Sequence, residues 1–171
     1  MIIKYFLQLL IKFLPSKTAY THCDIPCGIY DPHQAQLAAH TVIRMTNLIN
    51  DLKTSKHEPA FEERKKIISQ ISRYTRVKED HAEIVKHEVR ILWGDYFKEE
   101  HLKSYPDLHN LVFKTMKLAS KARQEINIDA ANELLDAVQK IAEIFWRTKN
   151  IKTAKISAPY PSGGTILIPK S

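Results

Sequence analysis

From Leu37 to Leu52 the apolar positions step at three and four residues: Leu37, Ala38, Val42, Met45, Leu48, Ile49 and Leu52. That spacing puts them on one face of an α-helix. Asp31-Pro32 in front supplies an N-cap and a proline at the first helical position, so the helix is expected to start there and run to about residue 53. Lys53 to Pro59 is polar and reads as a loop. A second helix is expected over 60–93, with Ile67, Ile68, Ile71, Tyr74, Ile84, Val85, Val89 and Leu92 on its apolar stripe. Trp93-Gly94-Asp95-Tyr96-Phe97-Lys98 breaks it. Pro106 opens a third helix, 106–125, and Asp129 is expected to cap a fourth, 130–149. No period-two strand pattern occurs in this body. The pattern predicts an all-α domain, an antiparallel up-and-down four-helix bundle with short connections.

The two ends read differently. In residues 1–21, Ile2, Ile3, Phe6, Leu7, Leu10, Ile11, Phe13 and Leu14 recur at helical spacing, interrupted by Lys4, Gln8 and Lys12. The run is too short and too broken for stable membrane insertion. It reads as a cleaved leader, either a secretory signal or a propeptide, and both place a cut before His22. Residues 150–171 carry Pro159, Pro161, Gly163, Gly164 and Pro169 and are expected to form an extended, poorly ordered arm. The domain proper is then 22–149.

Composition narrows the classes. Hydrophobic residues are 44%, enough for a real core. The formal charge is +7, but Lys and Arg alternate with Asp and Glu along the helices, which argues against nucleic acid. Removing residues 1–21 deletes Lys4, Lys12 and Lys17 and no acid, so +7 falls to +4. Mild positive charge suits a small anionic substrate.

The candidate chemistry lies in His22-Cys23-Asp24-Ile25-Pro26-Cys27, which holds both cysteines of the chain. With His22 internal, the segment is an imidazole beside two thiols, and a Cys23–Cys27 disulfide on a plain structural bundle is one reading. A cut before His22 adds a free α-amine, a usable ligand near neutral pH. Amine, imidazole and two thiolates then converge within six residues. The Cys23 amide nitrogen lies between the amine and the Cys23 sulfur, so a metal held by both closes two fused five-membered rings. Nitrogen and sulfur donors in a plane suit Ni(II) or Cu(II) better than tetrahedral Zn(II). Thiolate donation makes a higher oxidation state accessible, which favours redox chemistry over hydrolysis. Pro26 and Gly28 allow the turn that returns Cys27 to the metal. A helical module that binds nickel or copper without turnover is the alternative to an enzyme.

His22-Cys23-Asp24-x-Pro26-Cys27-Gly28-x-Tyr30-Asp31-Pro32 resembles the nickel hook of the nickel-containing superoxide dismutases. Leu92-Trp93-x-Asp95-Tyr96-Phe97-Lys98, Tyr105-Pro106-x-Leu108-His109 and Phe145-Trp146-x-Thr148-Lys149 are similar to further blocks of that family, in order. The resemblance implies a hook over 22–30 and one nickel ion per subunit. It also implies a homohexamer and a peptidase that removes the leader. The implied ligands are the His22 amine and imidazole, the Cys23 amide nitrogen and sulfur, and the Cys27 sulfur. The implied reaction turns two superoxide anions and two protons into dioxygen and hydrogen peroxide by Ni(II)/Ni(III) cycling. Tyr30 would limit access to the open face, with Tyr96 as a second phenol. Asp24 would shape the pocket, Lys98 would attract the anion, and the Ile25–Pro26 bond would be cis. Better-known members hold the axial imidazole with a carboxylate on the first helix, backed by an arginine. The matching positions here are Ala38 and His81, so the group that orients His22 differs. A cytoplasmic location is expected, with export by the leader as the alternative.

Overall fold

A computed structural model describes residues 28–170; residues 1–27 and 171 lie outside it. The described residues form five α-helices and one small sheet. The helices are α1 (His33–Asn50), α2 (Phe61–Ile91), α3 (Glu99–Ser104), α4 (Leu108–Gln124) and α5 (Ile128–Thr148). A π-helical turn, Leu92–Tyr96, follows α2 directly, and the strands are β1 (Thr153–Ser157) and β2 (Thr165–Pro169). Each of the four long helices packs on two others: α1 on α2 and α5, α4 on α2 and α5. Their shared core includes Ala39, Val42, Val85, Leu108, Leu134, Ile141 and Phe145, all fully buried or nearly so.

α1 starts one residue later than the Asp-Pro signal predicts: Pro32, not Asp31, is its N-cap, and the Asp31 carboxylate accepts from the His33 backbone N–H at 2.7 Å just ahead of the helix. Three further helical expectations need correction. Asp129 is not the cap of α5: the helix begins at Ile128, and the side chain of Asn127 accepts from the Ala130 N–H at 2.9 Å. Asp129 instead lies in the first turn, where its charge complements the helix dipole. The stripe on α2 is core only in its second half. Buried positions begin at Lys78, whereas Ile68 is 66% exposed. The break after α2 is not a simple loop. It contains the π turn, closed by Phe97 N–H to Leu92 O at 2.9 Å, and then the short helix α3, whose six residues are too few to show a period.

Lys78 holds α4 to α2. Its ammonium, buried among apolar neighbours, donates to the carbonyls of Ala122, Arg123 and Glu125 at 2.6–2.8 Å. Three carbonyl acceptors need three N–H donors, which only the charged form offers. These are orphan carbonyls at and just past the end of α4, where a cation is also favoured by the helix dipole. Burial nonetheless pushes the Lys78 pKa down, opposed by Glu79 and Glu125.

The C-terminal stretch is the largest correction. Where a loose arm is expected, β1 and β2 pair antiparallel from Thr153↔Pro169 to Ser157↔Thr165. Gly163 and Gly164 turn the connecting loop at φ of 67° and 74°, a left-handed region open to glycine. Pro169 sits at the last position of its strand, where a missing N–H does least harm. Ile166 and Leu167 are buried, and β2 packs on α5. The side-chain amide of Gln36 on α1 acts as a substitute strand edge. Its Nε2 donates to Leu167 O at 3.0 Å and its Oε1 accepts from Leu167 N–H at 2.9 Å.

Candidate metal centre and its tyrosines

The hook donors His22, Cys23 and Cys27 lie outside the described residues, as do Asp24, the Ile25–Pro26 bond and the leader. The structure shows the ground on which the hook stands. Gly28, at φ of 94°, leads into Tyr30, whose ring centroid is 5.4 Å from that of Tyr96. Two phenols far apart in sequence thus meet where the described chain begins. Among the described residues, no three His, Cys, Asp or Glu side chains come together as a metal site.

Tyr96 is the last residue of the π turn, and that turn delivers it into an aromatic cluster. Phe145 lies 4.6 Å from its ring, Phe97 5.2 Å, and His101 stacks on it at 5.6 Å. The direction of its hydrogen bond can be worked out. Thr148 Oγ1 is 2.7 Å from the carbonyl of Phe145, which can only accept, so the threonine proton goes there. Tyr96 Oη is 2.6 Å from the same Oγ1 and must therefore donate to it. The phenol proton points away along Tyr96, Thr148 and the Phe145 carbonyl, and the free lone pairs of Tyr96 can only accept.

Lys98 is exposed at the N-cap of α3, and its backbone N–H donates to His101 Nδ1 at 3.1 Å. That bond leaves the proton of a neutral His101 ring on Nε2. His101 is therefore a helix-end and stacking residue. Lys149 is the cation placed at this face: its Nζ stands 5.5 Å from the Tyr96 ring centroid and 4.7 Å from that of Phe145. Thr148 and Lys149 were read only as part of a block of resemblance. Their signal was present, since they follow Phe145 by three and four residues on one helix. Their target, Tyr96, was not visible. Ala38 is buried in the core, and His81 Nδ1 bonds the Val77 carbonyl of its own helix at 2.8 Å. Neither position supplies a carboxylate.

A nitrogen–sulfur donor segment that runs in sequence into a helical domain with a phenol pair and a lysine at that end is the arrangement of one class of metalloprotein. The comparisons with known proteins name that class. The chain belongs to the nickel-containing superoxide dismutase family, whose model matches residues 17–149. It is 38% identical over 137 residues to the superoxide dismutase [Ni] of Streptomyces coelicolor, covering 80% of this chain and 95% of the relative. The superoxide dismutase [Ni] of Streptomyces seoulensis is 36% identical over the same length. The crystal structure of a native nickel superoxide dismutase superposes with a TM-score of 0.62 at 38% identity, covering 75% of this chain and 99% of that one.

Proposed function

We infer that this chain is a nickel-dependent superoxide dismutase, converting two superoxide anions and two protons to dioxygen and hydrogen peroxide. One observation carries the reading beyond family membership: the hook segment leads directly into a tyrosine packed on Tyr96. The donor set fits nickel, because two thiolates with an amine and an amide nitrogen suit a planar d⁸ ion. The His22 amine and imidazole, the Cys23 amide and sulfur, and the Cys27 sulfur would hold it. Bound there, nickel supplies a one-electron couple that thiolate donation brings within reach of superoxide.

The remaining work falls to the chain. Tyr30 and Tyr96 narrow the approach to the hook, so a small diatomic anion is favoured over larger solutes. With its proton committed to Thr148, Tyr96 accepts hydrogen bonds from incoming water or a protonated product. Tyr30 packs against Tyr96 at the same approach. Lys98 and Lys149 raise the local concentration of a negative substrate. Asp24 shapes the pocket beside Cys23.

The same reading takes residues 1–21 as a propeptide that masks the His22 amine until a peptidase cuts the Thr21–His22 bond. It takes the four long helices as an antiparallel up-and-down bundle, assembled as a homohexamer in the cytoplasm. The decisive experiment is to purify the mature protein and measure its N-terminus, nickel content and superoxide removal together. A chain starting at His22, with about one nickel per subunit and catalytic turnover, is expected. An active protein retaining Met1, or activity without nickel, overturns the assignment. Stoichiometric nickel or copper binding without turnover would make it a metal-binding module instead.

A further inference from the structure

The family match ends at residue 149. Beyond it, the loop between β1 and β2 lies against α1 and borders an open cleft of about 380 Å³. Leu37, Met45 and Pro161 give it apolar walls. Most of its polar hydrogens are already spent. The Thr41 hydroxyl donates to Leu37 O at 3.1 Å. His40 Nε2 lies 3.1 Å from Thr165 O, which can only accept, so that nitrogen carries the proton. Nδ1 of the neutral ring then accepts from the Ser162 hydroxyl at 2.9 Å.

Two donors remain. The Arg44 guanidinium and the Tyr160 hydroxyl line the cleft and form no hydrogen bond or ion pair with any described residue. Arg44 is partly buried, and no carboxylate lines the cleft among the described residues. A guanidinium beside apolar walls with no acid among its described neighbours is a ready partner for an anion. Its planar fork suits a carboxylate.

We propose that this cleft binds a small amphipathic carboxylate, its head on Arg44 and Tyr160 and its apolar body along Leu37, Met45 and Pro161. The site is separate from the tyrosine face and is built partly from residues outside the family match. It does not depend on the assigned reaction.

The test uses the full chain with ¹³C-labelled methionine methyl groups, titrated with octanoate and read by NMR. Met45 is in the wall of the cleft. Met116 lies on another apolar groove, beside Lys86 and Lys117, and reports binding to any cation-rimmed surface. Octanoate is expected to move Met45 saturably and to leave Met116 in place. Octan-1-ol and octylammonium should bind at least about tenfold more weakly, the discrimination of one charge-assisted pair. Arg44→Gln should abolish that preference while leaving the helical spectrum unchanged, and Tyr160→Phe should reduce it. Equal binding of octan-1-ol, equal movement of Met116, or no saturable Met45 shift by about 10 mM octanoate overturns the proposal.

Discussion

Tyr96 and His40 are both polar rings set in otherwise apolar surroundings, yet they are held in opposite ways. Tyr96 has one hydrogen bond of fixed direction, to Thr148, and keeps its lone pairs available beside Tyr30 and Lys149. His40 is 3% exposed and has both ring nitrogens engaged by one hairpin, through Ser162 and Thr165. The first arrangement leaves capacity for a reacting molecule. The second uses all of it to fix a piece of backbone. The comparison separates two faces of the molecule, one built to meet substrate and one built to close the fold. On the closed face, the polar capacity left over belongs to Arg44 and Tyr160.

Removing a hook thiol should break this contrast most completely. Cys23→Ser or Cys27→Ser is expected to abolish superoxide removal and leave the far-ultraviolet helical signal and the hairpin intact. Retained activity in either variant would refute the ligand assignment. Next comes the closed face. Leu167→Ala removes a buried side chain from β2 and should cost about 2–4 kcal/mol in chemical denaturation while activity per folded molecule survives. If that variant lost activity in step with stability-neutral controls, the two faces would not be separable.

A smaller effect is expected at Thr148. Thr148→Val takes away the acceptor of the Tyr96 proton at a cost of about 1–2 kcal/mol. It should change the pH dependence of the rate, because the phenol is released toward the site, and Thr148→Ser should restore the original profile. An unchanged profile in the valine variant would mean that the bond only packs the aromatic cluster.

The smallest effect concerns His40. Burial lowers its pKa from the usual 6.5, with the Thr165 carbonyl opposing. The folded state therefore takes up a proton less readily than the unfolded chain. Stability from the neutral ring is present above about pH 6.5 and is lost as pH falls toward the lowered value. Denaturation midpoints should drop across that window in the native protein and drop less in His40→Gln.

The tyrosine face was largely legible because its parts are local. The expected hook donors, His22, Cys23 and Cys27, fall within six consecutive residues, and Phe145, Thr148 and Lys149 are one helical turn. Tyr96 sits at a break announced by Trp93-Gly94-Asp95. The π turn itself was not legible, since it differs from a continued α-helix only in which carbonyls the N–H groups reach, as Phe97 N–H reaches Leu92 O. Asn127 displaced Asp129 as a cap because both are competent caps and the choice between them is one of backbone register. On α2, Ile67, Ile68 and Ile71 keep the apolar period, but among the described residues no helix covers the exposed part of that face. Period reports what a segment could bury, not what is there to cover it.

By itself the sequence determined the helices, through local three- and four-residue spacing. It also determined the chemistry, through donors so close together that no fold is needed to bring them near. Tertiary structure alone decided the fate of the C-terminal residues. Thr165, Ile166 and Leu167 are strand formers without a partner in the linear text. Gln36 bonds Leu167 across 131 residues and His40 bonds Ser162 across 122. Buried at 1% and 3% exposure four residues apart on α1, those two side chains had to find hydrogen-bond partners. Which partners they found depended on a hairpin that forms only when β1, β2 and the helix faces are all in place.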